Sequence, residues 1–112
     1  MKHEMRLKDN PFNKIKNGTK TIELRVYDEK RRKIKKNDLI EFTNRETFEK
    51  ILTIVEELYL YKTFEELYKH HDKISLGYNE EDEISSSDMD KYYPVDEQEI
   101  YGVVGIKIKV LN

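Results

Sequence analysis

The sequence predicts an α+β fold: a small, partly closed β-barrel of about five to six strands, with short helices in the connections. Three observations predict it. Apolar and polar residues alternate with period two in several separate stretches, as in half-buried strands. One stretch, Glu49 to Tyr61, is too long to stay flat and must curve or carry a bulge, a habit of small barrels. Helix start signals fall between these stretches, at Asn10-Pro11 and at Thr63 to Glu66.

The elements follow in order. Glu4 to Lys8 forms a short strand with Met5 and Leu7 on one face. Asn10 then caps a short helix with Pro11 at its first position, and Phe12 and Ile15 face the core. Asn17-Gly18 closes that helix, because glycine takes the left-handed conformation without penalty. The next strand, Lys20 to Val26, turns Ile22, Leu24 and Val26 to one side and Thr21, Glu23 and Arg25 to the other. Tyr27 to Asn37 is a basic loop or short helix, and Leu39 to Thr43 is another strand. In the long strand Leu52, Ile54, Leu58 and Leu60 share a face that Glu56 interrupts, with either strong curvature or a bulge near Glu56-Glu57 expected.

Thr63-Phe64-Glu65-Glu66 is a capping box, opening a helix whose inner stripe is Phe64, Leu67 and Tyr68. Asn79 to Ser87 is acidic, then serine-rich, and reads as an exposed, mobile loop. Ser87 to Asp90 starts a helix with Met89, Tyr92 and Tyr93 at helical spacing, ended by Pro94. Gly102 to Leu111 is the clearest strand, with Ile106, Ile108 and Val110 alternating against Lys107 and Lys109.

A chain of 112 residues is the size of one domain, spanning 1–112. Charged residues (39%) outnumber hydrophobic ones (37%), so the core is small, and eight Tyr and four Phe supply much of its volume. The absence of cysteine excludes disulfides and thiolate chemistry. No apolar run approaches the roughly 20 residues of a membrane span, and Met1 to Asp9 lacks the apolar stretch of a secretory signal. A cytoplasmic protein with no membrane partner is expected. The net charge of −2 hides an asymmetry: residues 1–50 hold 15 Lys/Arg against 9 Asp/Glu, and residues 51–112 hold 6 against 14. A basic surface attracts phosphates even on a slightly acidic protein.

The chemistry concentrates where Gly18-Thr19-Lys20-Thr21-Ile22-Glu23-Leu24-Arg25 fits G-x-K-x-x-E-x-R. Glu23 and Arg25 sit two apart on one strand face, their Cα atoms roughly 6.5 Å apart. Arg25 offers a planar fork for a phosphate or carboxylate, and Glu23 can hold that fork or accept a base amino group. Strict alternation puts Lys20 on the side of Ile22, so it joins the pair only where the turn redirects it. Gly18, Lys20, Glu23, Arg25 and Tyr27 are the candidate ligand-binding residues, Tyr27 as a stacking surface. Tyr92 and Tyr93 offer the same aromatic surface. Arg31, Arg32, Lys33, Lys35 and Lys36 are candidates for phosphate contact without base reading.

This motif, following a short helix and opening a strand, resembles the ASCH domains of the PUA-like group of small β-barrels. The order of elements is similar over nearly the whole chain, to the last strand after Tyr101-Gly102. The resemblance implies RNA or a modified nucleotide held in a cleft beside the motif strand. It also implies an alternative, since one bacterial branch looks like amidohydrolases of N4-acetylcytidine and other members have been regarded as ribonucleases. The amidohydrolase branch relies on a Lys, a Thr three residues later and a distal Glu. Lys20 matches the first, Glu23 stands in place of the Thr, and Glu80, Glu81 and Glu83 lie in a poorly patterned segment. If the chain is an enzyme, Lys20 and Glu23 are its catalytic candidates, with acid–base work requiring a lowered Lys20 pKa.

No Ser/His/Asp triad or phosphate-cradling glycine loop is visible. His70-His71-Asp72 is the one His cluster, and neighbours on a helix point about 100° apart, which spoils a shared ligand set. No metal and no cofactor are expected.

Overall fold

The computed structural model describes residues 1–111. Its five strands are β1 (Lys2–Leu7), β2 (Ile22–Val26), β3 (Leu39–Asn44), β4 (Lys50–Tyr61) and β5 (Val103–Val110). They form one mixed sheet in the order β1-β3-β4-β5-β2, with β1 parallel to β3 and every other pair antiparallel. The sheet curls into a half-barrel whose edge strands, β1 and β2, do not pair. Helix α1 (Asp9–Lys16) joins those edges, while α2 (Phe64–His70) and α3 (Val95–Tyr101) lie in the connection between β4 and β5.

Two apolar clusters sandwich the sheet. The inner one gathers Met5 and Leu7 from β1, Phe12 and Ile15 from α1, and Ile40, Phe42, Ile51, Val55, Val104, Ile106 and Ile108 from the other strands. The outer one joins Ile22, Leu24, Val26 and Val103 to Phe64, Leu67 and Tyr68 of α2 and to Leu76. The apolar residues of β2 all join the outer cluster, and only Arg25 among its residues keeps more than slight exposure. Glu23 pairs across to the buried Ile106 of β5 and is itself out of water.

Several local expectations are corrected. Helix α1 starts at Asp9, ahead of Asn10, and Lys8 at its N-cap makes no side-chain cap. The Asp9 carboxylate instead accepts from Asn13 in the next turn and from Asn44 at the end of β3. In β4 the inward residues are Ile51, Thr53 and Val55, and Leu52 and Ile54 are half-buried on the opposite side. The reason is the bulge itself: the register with β5 shifts between Val55 and Glu57, so the inward phase changes from odd residues to Leu58.

Residues 86–91 form a 3-10 helix capped by Ser85, whose side chain accepts from the Ser87 amide. Helix α3, absent from the expected elements, follows Pro94. Its apolar residues Val95, Ile100 and Tyr101 are exposed, and its one buried side chain is polar Gln98. Gln98 is fully satisfied: it accepts from the Phe64 amide and donates to Asp90 and to the Tyr93 carbonyl. It thus ties the start of α2 to the segment that carries Tyr93.

Half of the expected capping box is present: Thr63 accepts from the Glu66 amide at 3.3 Å, but no bond returns from the Thr63 amide to the Glu66 side chain among the described residues. Asn79 to Ser87 is largely exposed, and Lys73 donates to the Glu80 and Asp82 carbonyls within it.

Candidate functional site

The motif residues converge. β2 begins only at Ile22, so Lys20 lies in the preceding turn, where strand alternation does not govern it. The Lys20 amide donates to the Lys14 carbonyl at the end of α1, and Gly18 takes φ +86° to let the chain turn. The ammonium of Lys20 then reaches Glu23 Oε1 at 2.9 Å. Arg25 Nη2 meets the other carboxylate oxygen, Oε2, at 2.7 Å. A single carboxylate thus holds two cations.

Burial gives this triad its character. Lys20 is 9% and Glu23 3% exposed, and Arg25 is partly buried. Burial alone would raise the Glu23 pKa, but the charges of Lys20 and Arg25 outweigh it and hold the carboxyl below its ordinary value. Glu23 is a fixed anion at neutral pH. Arg25 Nη1 makes a longer contact, 3.4 Å, to the Tyr93 hydroxyl, and its Nε is buried with no acceptor among the described residues. Glu23 is therefore the main anchor of the guanidinium.

A second backbone device seats Lys20. The Thr21 and Ile22 amides both donate to the Ser75 carbonyl at 3.0 Å, drawing residues 72–78 over the start of β2. Gly77, with φ +104°, lies so close to Lys20 that an added Cβ would come within 3.0 Å of its Cδ. Lys14 Nζ donates to the Gly77 carbonyl at 2.7 Å and fixes this roof. The dihedral angle favours glycine, and an added Cβ would oblige the Lys20 stem to shift by a few tenths of an ångström.

The triad floors a cleft of about 330 Å³. One wall comes from Arg6, Leu7 and Lys8 at the end of β1, with Pro11 and Arg45. Another comes from Tyr68, Leu76, Gly77 and Tyr78, and from Asp88, Met89, Tyr92 and Tyr93. Arg6, Lys8 and Arg45 are exposed and form no ion pair among the described residues. Tyr92 is 60% exposed, and Lys8 Nζ stands 5.5 Å from its ring centre.

Sequence reasoning missed Arg6, Lys8, Arg45 and Asp88. Arg6 and Lys8 lie far along the chain from Arg45 and come beside it because β1 pairs in parallel with β3, while Asp88 is brought in by the 3-10 helix between β4 and β5. No local pattern signals that pairing.

The remaining candidates lie elsewhere. Gly18 borders a separate groove near Lys107 and Lys109. Tyr27 packs on the inner cluster, and Arg32 lies 4.5 Å over its ring, so the exposed surface there is guanidinium as much as aromatic. Arg31 pairs with Asp28, Lys36 with Glu57, and Arg32 donates to the Tyr101 carbonyl. Lys33 and Lys35 are exposed and make no ion pair among the described residues. None of these basic-run residues lines the triad cleft. His70 stacks on Tyr61, and His71 Nε2 is 2.9 Å from the Tyr61 hydroxyl.

The family model of the ASCH domain matches residues 5–112. The chain belongs to the ASCH domain family. The ASCH family sits in the PUA-like superfamily, and the half-barrel with short connecting helices accords with that. The chain is similar to the crystal structure of hypothetical protein PH0355, with 32% identity over 99% of this chain and 100% of that one, at a TM-score of 0.82. It is also similar to protein PF0455 from Pyrococcus furiosus, solved by NMR, with 31% identity over 100% of this chain and 99% of that one, at a TM-score of 0.74. No curated protein matches the chain significantly. Among the described residues, no helix of this ASCH domain is long and apolar enough to cross a membrane.

Proposed function

We propose that this ASCH domain binds single-stranded RNA by taking one nucleotide into the cleft above Lys20, Glu23 and Arg25. The observation that carries this reading is the buried triad itself. Glu23 spends both oxygens on two cations and so pre-orients their remaining N–H groups toward an anionic ligand, lowering the ordering cost of binding. Around that floor the unpaired Arg6, Lys8 and Arg45 suit phosphate, and the exposed Tyr92 ring suits a base. A cleft of about 330 Å³ is at the small end of ligand pockets, which favours one nucleotide over a duplex. Lys33 and Lys35 add phosphate contacts where the strand leaves the cleft, because they follow β2 in the chain, are exposed and make no ion pair among the described residues.

Binding of a short single-stranded RNA, followed by fluorescence anisotropy across a salt series, tests this. Affinity should fall with salt at a slope of roughly 0.7 per phosphate contacted. Reversing Arg6, Lys8 and Arg45 to Glu should flatten that slope and weaken binding at every salt. Arg25→Ala should weaken it by about tenfold or more through loss of the charged fork. Affinity unchanged in both variants sinks the proposal.

A second reading rests on one contact. This reading makes Lys20, buried 2.9 Å from an ionised Glu23, the proton carrier for hydrolysis of an acylated nucleoside amine. Lys20→Arg separates the two, because a guanidinium keeps the charge without titrating near neutral pH. Turnover of an N4-acylated cytidine by the wild type, lost by about two to four orders of magnitude in Lys20→Arg, would establish the hydrolase. Saturable RNA binding little changed in that variant, with no product from either protein, supports the binder.

A further inference from the structure

The cleft carries two carboxylates, and they are differently committed. Glu23 has an ion pair on each oxygen, and its side chain is 4% exposed. Asp88 is only partly buried. Its Oδ2 accepts from the Tyr78 hydroxyl at 2.9 Å, and that hydroxyl lies 2.8 Å from the hydroxyl of Tyr68. Asp88 Oδ1 has no hydrogen-bond partner among the described residues. The backbone is held as well, since the Asp88 amide donates to the Ser85 carbonyl at 3.0 Å in the first turn of the 3-10 helix. The cleft therefore holds one oriented acceptor with an open lone pair, in otherwise cation-rich surroundings.

An anionic acceptor so placed repels phosphate and serves a donor on the same ligand. The base donors of a nucleotide are the exocyclic amine of cytosine, adenine and guanine and the imino N–H of uracil, guanine and hypoxanthine, and only the amine has no adjacent carbonyl to repel the carboxylate. Cytosine and adenine carry that amine where uracil and hypoxanthine carry a carbonyl, which a carboxylate repels. Burial and the neighbouring Tyr68 and Asp88 push the Tyr78 hydroxyl far above its ordinary pKa, so Tyr78 remains the donor that fixes Asp88 at any physiological pH.

Building on the RNA reading above, we infer that Asp88 selects the nucleotide in the cleft, accepting from the exocyclic amine of cytosine or adenine and rejecting uracil. Tyr78 is a positioning residue for Asp88. Tyr92, four residues on and exposed, supplies the ring against which such a base lies.

The test compares hexamers of cytidine and uridine, which share backbone and ring shape, with adenosine and inosine hexamers as the purine pair. Wild-type protein should hold the cytidine hexamer about tenfold more tightly than the uridine one, the scale of one charge-assisted hydrogen bond. Asp88→Asn, which offers an amide donor to the uracil carbonyl, should erase that preference while keeping the salt slope. Tyr78→Phe should narrow the preference with uridine affinity unchanged, which a merely structural role would not do. Equal binding of cytidine and uridine hexamers by the wild type, or a preference that survives Asp88→Asn, overturns the inference and leaves the RNA reading standing. Failure of all four hexamers to bind overturns the RNA reading and this inference together.

Discussion

Two cationic stretches stand close together in the chain, the strand segment Lys20 to Arg25 and the run Lys30 to Lys36, and the fold treats them oppositely. The first holds two cations and one anion, largely buried, each charge fixed by a partner or a roof. The second holds more cations but leaves Lys33 and Lys35 in solvent and spends Arg31, Arg32 and Lys36 on nearby acceptors. Number of charges and usable charge are different things. In water a lysine is screened and mobile, whereas a buried, paired cation keeps its direction and most of its field.

The largest effect should come from unbalancing the buried side. Glu23→Ala leaves Lys20 and Arg25 facing each other without a counter-charge, and should cost about 3–5 kcal/mol of stability in urea melts. Lys33→Ala should stay within about 0.5 kcal/mol. Comparable losses from the two variants would break the contrast.

Acid sharpens it. Because the folded Glu23 pKa lies below its ordinary 4.5, its stabilising contribution is complete above that pH and is lost as pH falls through the lowered folded value. The gap between wild type and Glu23→Gln, wide at pH 7, should therefore close as the pH is taken well below 4.5. Asp38, held at about 2 chiefly by the hydrogen bond from His3, loses its own contribution as the pH falls from its ordinary 3.8 through about 2, in wild type and variant alike. A gap constant with pH would mean that Glu23 carries no charge-dependent stability.

The roof over Lys20 comes next. Gly77→Ala forces a side chain into a left-handed backbone and against the Lys20 stem, and should cost about 1–2 kcal/mol. It should also weaken RNA binding, because Lys20 must shift. Gly18→Ala shares the positive φ but meets nothing within 4 Å, so it should lose similar stability with RNA affinity kept. Equal losses of affinity would show that the roof does not position Lys20. The smallest effect belongs to reversing Lys33 and Lys35, which should reduce the salt slope of RNA binding by about one unit at most.

What could be read in advance follows the range of the cause. Strands whose inner residues repeat every second position were readable, as were the Thr63 helix cap and the bulge near Glu57, because each is written within a few residues. The inward face of β4 was not, since the bulge that reverses it sits inside the strand and its exact position decides which residues turn inward. Helix α3 escaped because its burial rests on Gln98, a polar residue whose three hydrogen bonds come from partners that only the folded chain supplies. The Glu23–Arg25 pair was visible from strand period. Lys20 joins it through a turn, and Arg6, Lys8, Arg45 and Asp88 join through contacts distant in sequence.

The unpaired seam between β1 and β2 has a consequence for how copies of this protein meet one another. An open sheet offers two strand edges, each a template for a strand from another molecule. At β2 the Ser75 carbonyl already occupies the Thr21 and Ile22 amides, so an incoming strand finds those donors taken. At β1 the exposed residues are Lys2, Glu4 and Arg6, whose charges an incoming strand would have to desolvate. The protein keeps a gap wide enough for a ligand while withholding the hydrogen bonds and dry surface on which a growing fibril depends.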